Sequence, residues 1–381
     1  MPARNDITEE ILHRLAETRA EGPVVLSVYL DLNPERFATP PARATEITSV
    51  LDTARRKIDS ESAQLTHDQR KGLRGDLERV ERHLRANGAP SGAHGLAVFC
   101  CSALELFESL GLPAPVQSAA YNDFTPHIAP LAEIGSPHRW CVALVNRRSA
   151  RILCGSESEL EEVIDRRDDV HGRHKQGGWS QANYERSVEE DAEAHLKRVG
   201  EALLEELRGE PFVGLLVGAP QELRHEFEHQ LHAYVKERLV GYVDLDVENS
   251  SREEVLRCAD RRIAEHRRQQ VAELLERLRG ELGREGRAVA GVEGVLGSLE
   301  ERRVQTLFFE PRQHIAGAVC PACGLLSGAD GECPRDGSEL DQREDVLENA
   351  IEAAVTQSAE VVPVTTPDLG PLGGIAALLR F

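Results

Sequence analysis

The chain predicts an α/β (α+β) multidomain protein built from three mixed α/β domains. Three observations lead there. A chain of 381 residues with 40% hydrophobic content is long and apolar enough for several cores. Short β-branched runs alternate with longer runs of helical period. Composition breaks near residues 135 and 282, which divides the chain into 1–135, 136–282 and 283–381.

The first segment opens with Val24 to Leu30, a β-branched run between Gly22-Pro23 and Asn33-Pro34 that predicts a strand. Ile47, Val50, Leu51, Ala54 and Ile58 fall on one helical face. A second helix is predicted over Thr66 to Ala86, stopped by Asn87-Gly88. Gly95 to Cys100 reads as a buried strand.

Past the linker Gly135-Ser136-Pro137, Trp140 to Val145 and Ala150 to Cys154 predict two strands joined by a turn at Arg147-Arg148-Ser149. A helix is expected from about Tyr184 to Leu207, with Ala192, Leu196, Val199, Leu203 and Leu207 on its apolar face. The strand Phe212 to Val217 follows, then a helix from Glu222 to Val240. This alternation implies a parallel or mixed sheet covered by helices. A long charged helix runs from about Arg252 to Leu282. In the last segment, strands are expected at Val304 to Phe309, Val361 to Val364 and within Ile375 to Phe381, with a helix at Glu344 to Val355.

The formal net charge is −20, so contact with a polyanion must come from local basic patches. No apolar run is long enough to span a bilayer, and MPARNDITEE lacks the apolar core of a signal peptide. A cytoplasmic protein with no membrane partner is expected. Of eight cysteines, Cys100, Cys101, Cys141, Cys154 and Cys258 read as buried small hydrophobes.

One local patch stands out in HGRHKQGGWSQANYER, His171 to Arg186. From Val170 to Tyr184 there is no acidic residue. Arg173 and Lys175 are cationic, and His171 and His174 can be, so the stretch suits a phosphate backbone. Gly177-Gly178 permits close backbone approach, and Trp179 offers a stacking face. Gln181 carries an amide that donates and accepts hydrogen bonds but is neither acid nor base. A plain surface loop has the same composition.

The loop resembles the tip of the central domain of archaeal and eukaryotic class-I peptide release factors, the superfamily that includes Pelota. There a basic lead runs into Gly-Gly-Gln, followed by Ser, an aromatic, Arg and a long helix. Gly177, Gly178, Ser180, Tyr184 and Arg186 match in order. Gly95 to Cys100 is similar to the last strand of that family's first domain. Gly373-Gly374-Ile375-Ala376-Ala377 resembles its closing motif. The resemblance implies an RNase H-like central domain and a last domain like kink-turn-binding ribosomal proteins. It implies the ribosomal large subunit and A site, peptidyl-tRNA and a translational GTPase as partners.

Two departures matter. Aligned without a gap, the family's catalytic Gln falls on Trp179. Gly178-Trp179-Ser180-Gln181 instead fits the Gly-x-x-Gln pattern of the ANKZF-type peptidyl-tRNA hydrolases, which makes Gln181 the candidate catalytic residue. The Asn-Ile-Lys-Ser motif that reads stop codons is absent from Thr39 to Ser49. The implied reaction is therefore codon-independent hydrolysis of the peptidyl-tRNA ester in ribosome rescue. Gln181 would order the water or the terminal ribose, and backbone N–H groups of Gly178 to Gln181 would face the oxyanion. Cleavage of the tRNA itself stays open. So does passive occupancy of idle ribosomes, as in the Pelota-related hibernation factor Balon, which the displaced glutamine favours.

Cys320-Pro-Ala-Cys323-Gly and Cys333-Pro-Arg-Asp336-Gly form two knuckles of zinc-ribbon type. Asp336 stands where a fourth Cys is expected and can ligate zinc through oxygen, with His314 a less regular alternative. A decayed ribbon without metal is the competing reading. The arginines from Arg257 to Arg268 read as a solvated helix face with pairs such as Arg261–Glu265.

Overall fold

The structure is a computed structural model that describes residues 7–20, 22–60, 65–87, 93–135, 138–156, 159–167, 180–311, 313–365 and 368–381, with backbone alone at 166–167 and 180–188. It divides into two compact units, Met1–Pro137 with Val271–Phe381, and His138–Gln270. Mixed α/β packing is found in both.

In chain order the first segment holds α1 (Glu9–Glu17), β1 (Val25–Asp31), α2 (Pro40–Ser60), α3 (His67–Asn87), β2 (Gly95–Cys101), β3 (Leu106–Leu112), β4 (Ala119–Asp123) and α4 (Ala129–Ile134). Thr8 caps α1 by accepting from the Ile11 N–H, and α2 starts on a proline pair, whose missing N–H costs nothing in a first turn. The antiparallel sheet runs β3-β2-β1-β4. Strand periodicity sends Leu26, Val28 and Leu30 of β1 toward α2 and α3, and Tyr29 to the other face.

The second unit contains β5 (Trp140–Val145), β6 (Ser149–Gly155), β7 (Leu160–Arg167), α5 (Ser180–Gly209), β8 (Gly214–Gly218), α6 (Gln221–Gln230), α7 (Ala233–Lys236), β9 (Leu239–Tyr242) and the first turns of α8 (Arg252–Gly283). Its sheet runs β7-β6-β5-β8-β9, with β5-β8 and β8-β9 parallel and the rest antiparallel. Cys141, Ala143 and Val145 face α5 and α6, while Trp140, Val142 and Leu144 face α8. The β5–β6 turn closes as expected, with Asn146 Oδ1 accepting from the Arg148 and Ser149 N–H groups.

Three expectations change here. The helix expected over Glu222 to Val240 breaks at Leu231, which is extended and buried, and Leu239–Tyr242 becomes an edge strand on β8. Sheet pairing overrides the helical period there. Cys141 and Cys154 are not separate hydrophobes. They are direct cross-strand neighbours, with Cα atoms 4.2 Å apart, and are joined as a disulfide. On α8 the ion pair formed is Arg262–Glu265 at 2.7 Å, not Arg261–Glu265.

The last segment adds β10 (Ala288–Ala290), α9 (Val292–Glu300), β11 (Val304–Phe309), β12 (Gly317–Val319), β13 (Leu326–Ser327), β14 (Asp341–Arg343), α10 (Leu347–Thr356), β15 (Glu360–Pro363) and β16 (Ile375–Leu379). The main sheet runs β10-β16-β11-β15. Leu275 and Leu278 of α8 cover one face with Phe308, Ala376 and Leu378. The other face, with Leu307, Phe309 and Ala377, joins α9, α10, α1, α4 and Tyr29 in one continuous core. Gly373 and Gly374 both have φ +77°, and a Cβ on Gly374 would stand 1.8 Å from Gln313 Oε1. That explains the glycine pair before β16. Among the described residues no helix is long and apolar enough to cross a membrane.

Candidate functional site

Two regions carry the residues singled out from sequence. The basic Gly-rich loop lies mostly outside the described residues, including His171, Arg173, His174, Lys175, Gly177, Gly178 and Trp179. Ser180 and Gln181, described as backbone, open α5, and Tyr184 and Arg186 lie in its first two turns. The helix starts at Ser180, about one turn ahead of the expected Tyr184. Its first four N–H groups have no partner inside the helix and make its N-terminus electropositive. Farther along, Ala192, Leu196, Val199 and Leu203 are buried against the sheet, so the start of α5 is carried by a firmly packed stem.

The second region is the cysteine hairpin on the small sheet β13-β12-β14. Its knuckles repeat one hydrogen-bond pattern. The Cys320 N–H donates to Leu325 O and the Gly324 N–H to Cys320 O. Likewise the Cys333 N–H donates to Ser338 O and the Gly337 N–H to Cys333 O. Gly324 and Gly337 both take left-handed backbone, with φ +73° and +76°. Asp336 therefore occupies the position in the second knuckle that Cys323 holds in the first.

Ligand atoms of Cys320, Cys323, Cys333 and Asp336 all lie within 4.8 Å of one another. Cys323 Sγ is 3.5 Å from Cys333 Sγ, and Cys320 Sγ is 3.3 Å from Asp336 Oδ2. A tetrahedral zinc with Zn–S near 2.3 Å has ligand edges of roughly 3.3–3.8 Å, so these residues fit one. His314 is exposed, with Nδ1 3.0 Å from Asp345 Oδ2, and not part of the cluster.

Electrostatics point the same way. The Ser338 hydroxyl and N–H hold Asp336 below the usual carboxylate range. At Cys320 burial opposes ionisation, but the Cys323 and Ala322 N–H groups outweigh it and lower the thiol. At Cys323 the Leu325 N–H pulls down, but burial and the neighbouring Cys320, Cys333 and Asp336 push the thiol up to about 12.

Sequence spacing gave no sign of Glu300. From α9 it accepts the Leu326 N–H at 2.8 Å and pairs with Arg335 at 2.6 Å, anchoring the hairpin. Its signal is purely tertiary.

The profile of "Bacterial archaeo-eukaryotic release factor family 10" matches residues 126–265, which spans the loop and α5. Peptide chain release factor subunit 1 of Thermococcus sibiricus is 27% identical over 393 residues, covering 89% of this chain and 94% of the relative. The Archaeoglobus fulgidus counterpart is 27% identical over 71% of this chain and 72% of its own. Its central part is thus similar to a bacterial archaeo-eukaryotic release factor family, and most of its length to archaeal peptide chain release factor subunit 1. Solved structures similar to it include an archaeal translation termination factor at 20% identity, covering 98% and 99% of the two chains with a TM-score of 0.27. Another is Pelota of Archaeoglobus fulgidus at 14% identity, covering 100% and 93% with a TM-score of 0.35.

Proposed function

We propose that the protein is a ribosome-directed translation factor that hydrolyses peptidyl-tRNA independently of a codon. The reading is supported by the sequence pattern Gly178-Trp179-Ser180-Gln181, whose Ser180 and Gln181 open α5, in a chain that aligns with release factors over most of its length. The ester joins the nascent peptide to the 3′ oxygen of the tRNA. Water attacks the carbonyl carbon, the C–O bond to the ribose breaks, and the ribose oxygen leaves with a proton. Gln181 orders the water or the terminal ribose, and Gly177 and Gly178 let the backbone reach the ester. N–H groups at Gly178 to Gln181 meet the developing oxyanion, each such donor being worth ~10²–10³ in rate.

His171, Arg173, His174, Lys175, Trp179 and Arg186 contact RNA in this reading, and Ser180 supports the turn. The strand order β7-β6-β5-β8-β9 supports the RNase H-like reading of the central part. The division into 1–135, 136–282 and 283–381 is kept as the functional one, the last part being kin to kink-turn-binding ribosomal proteins. Cys320, Cys323, Cys333 and Asp336 would hold a structural Zn²⁺. The ribosome, peptidyl-tRNA and a delivering translational GTPase are the partners, in the cytoplasm.

The test is single-turnover release of labelled peptide from peptidyl-tRNA on ribosomes and free large subunits, with wild type and Gln181→Ala. Release by wild type and loss of ~10² or more in the variant is expected. A second reading, passive A-site occupancy, is favoured by the place of Gln181 inside the first turn of α5, two residues past the family's register. No release with tight ribosome co-sedimentation of both proteins would select it.

A further inference from the structure

Helix α6 carries His225-Glu226-Phe227-Glu228-His229, two histidines four residues apart with a glutamate beside the first. Histidines spaced this way on a helix point the same way and can chelate one ion. Here they do converge. His225 Nε2 and His229 Nε2 are 3.3 Å apart, with ring centroids at 4.5 Å and planes inclined by 70°. Two nitrogens at 2.0–2.1 Å from a tetrahedral zinc are separated by roughly 3.3–3.4 Å.

Both rings are exposed. Helical geometry puts Glu222, His225, Glu226 and His229 on one face, within about 100° of arc. The opposite face is the anchor, since Leu223 and Phe227 are buried in the core of the second unit. Glu228 is engaged elsewhere, accepting from the Tyr242 hydroxyl and pairing with Lys236 at 3.7 Å.

We propose that His225 and His229 form a second metal site, a bidentate imidazole chelate for a divalent ion of the Zn²⁺, Ni²⁺ or Cu²⁺ class. Water completes the coordination. The donor set selects these ions over Ca²⁺ and Mg²⁺, which take oxygen ligands. The spacing is shared with helices of zinc hydrolases, and the proposal is of ion binding alone. It does not depend on the cysteine hairpin or on peptide release.

The test is calorimetric titration of Zn²⁺ into the full chain, with side-chain ¹⁵N spectra of the histidines. Wild type, His225→Gln, His229→Gln and Cys323→Ser are compared. A zinc-binding phase that persists in Cys323→Ser, weakens at least tenfold in each histidine variant and shifts the Nε2 resonances of both histidines is expected. Both substitutions are on an exposed face, and circular dichroism checks that α6 is retained. A zinc isotherm unchanged in His225→Gln and His229→Gln, or Nε2 resonances that do not move with zinc, would overturn the site.

Discussion

The cysteine hairpin and the seam between α4 and α10 both gather ionisable groups, yet they resolve them in opposite ways. At the seam, Glu348 of α10 accepts the Ile128 and Ala129 N–H groups, the latter at 3.0 Å, and pairs with His127 Nδ1 at 2.9 Å. His127 in turn donates its backbone N–H to Ser27 Oγ and stacks on Tyr121 with centroids 3.6 Å apart. The charge of Glu348 is met by donors already in the chain. In the hairpin, three thiols and a carboxylate face one another with no cationic side chain among them. Backbone N–H groups of Cys323 and Ser338 reach Cys320 and Asp336, but no side chain in the cluster brings positive charge, which is what the proposed zinc would supply.

The sharpest way to break this contrast is to deny the hairpin its proposed zinc. A strong chelator, or Cys320→Ser, should abolish hydrogen-exchange protection across 317–343 while leaving β5 to β9 protected. Retained protection in the chelated protein would mean the hairpin stands without metal. Next in size, Glu348→Ala leaves the Ile128 and Ala129 N–H groups without acceptors and should cost about 1–3 kcal/mol in denaturant unfolding. Glu348→Gln keeps one acceptor oxygen and should cost less.

One turn along α10, Glu352 sharpens the contrast further. Burial, then the charge of Glu348, push its carboxyl from the ordinary 4.5 up to about 8, against a Thr125 hydrogen bond. A folded pKa above the unfolded one stabilises at low pH, and that contribution is lost as pH rises from about 4.5 through about 8. Glu352→Gln should therefore flatten the decline of stability over that window and gain on the order of 1 kcal/mol at pH 8.5. A variant whose pH–stability profile parallels wild type would refute the buried protonated carboxyl. The smallest change is Asp336→Cys, which completes a four-thiolate set. Competition with a chromophoric chelator should show tighter zinc, with little shift in the melting of the second unit.

Much of this was legible from residue order. Trp140 to Val145 and Val304 to Phe309 are strands at the residues expected, because their short apolar runs, apart from the exposed Gln305, are buried. The apolar stripe of α5 and the two knuckles also follow from spacing alone. β7 escaped notice because Glu161, Glu162 and Asp165 give it the composition of a loop; as an edge strand it tolerates charge.

By itself, then, the sequence determined what neighbouring residues enforce on one another: strand alternation, helix stripes, knuckle turns, and a loop without acid leading into Gln181. Tertiary structure decided what requires distant partners. It set Cys141 opposite Cys154, ended α6 at Gln230, and joined α1 and α4 to α10 in one core. Local preferences act through bonds and steric contacts a few residues apart. Pairings across 220 residues, such as Ile128 with Glu348, are chosen only when the whole core closes.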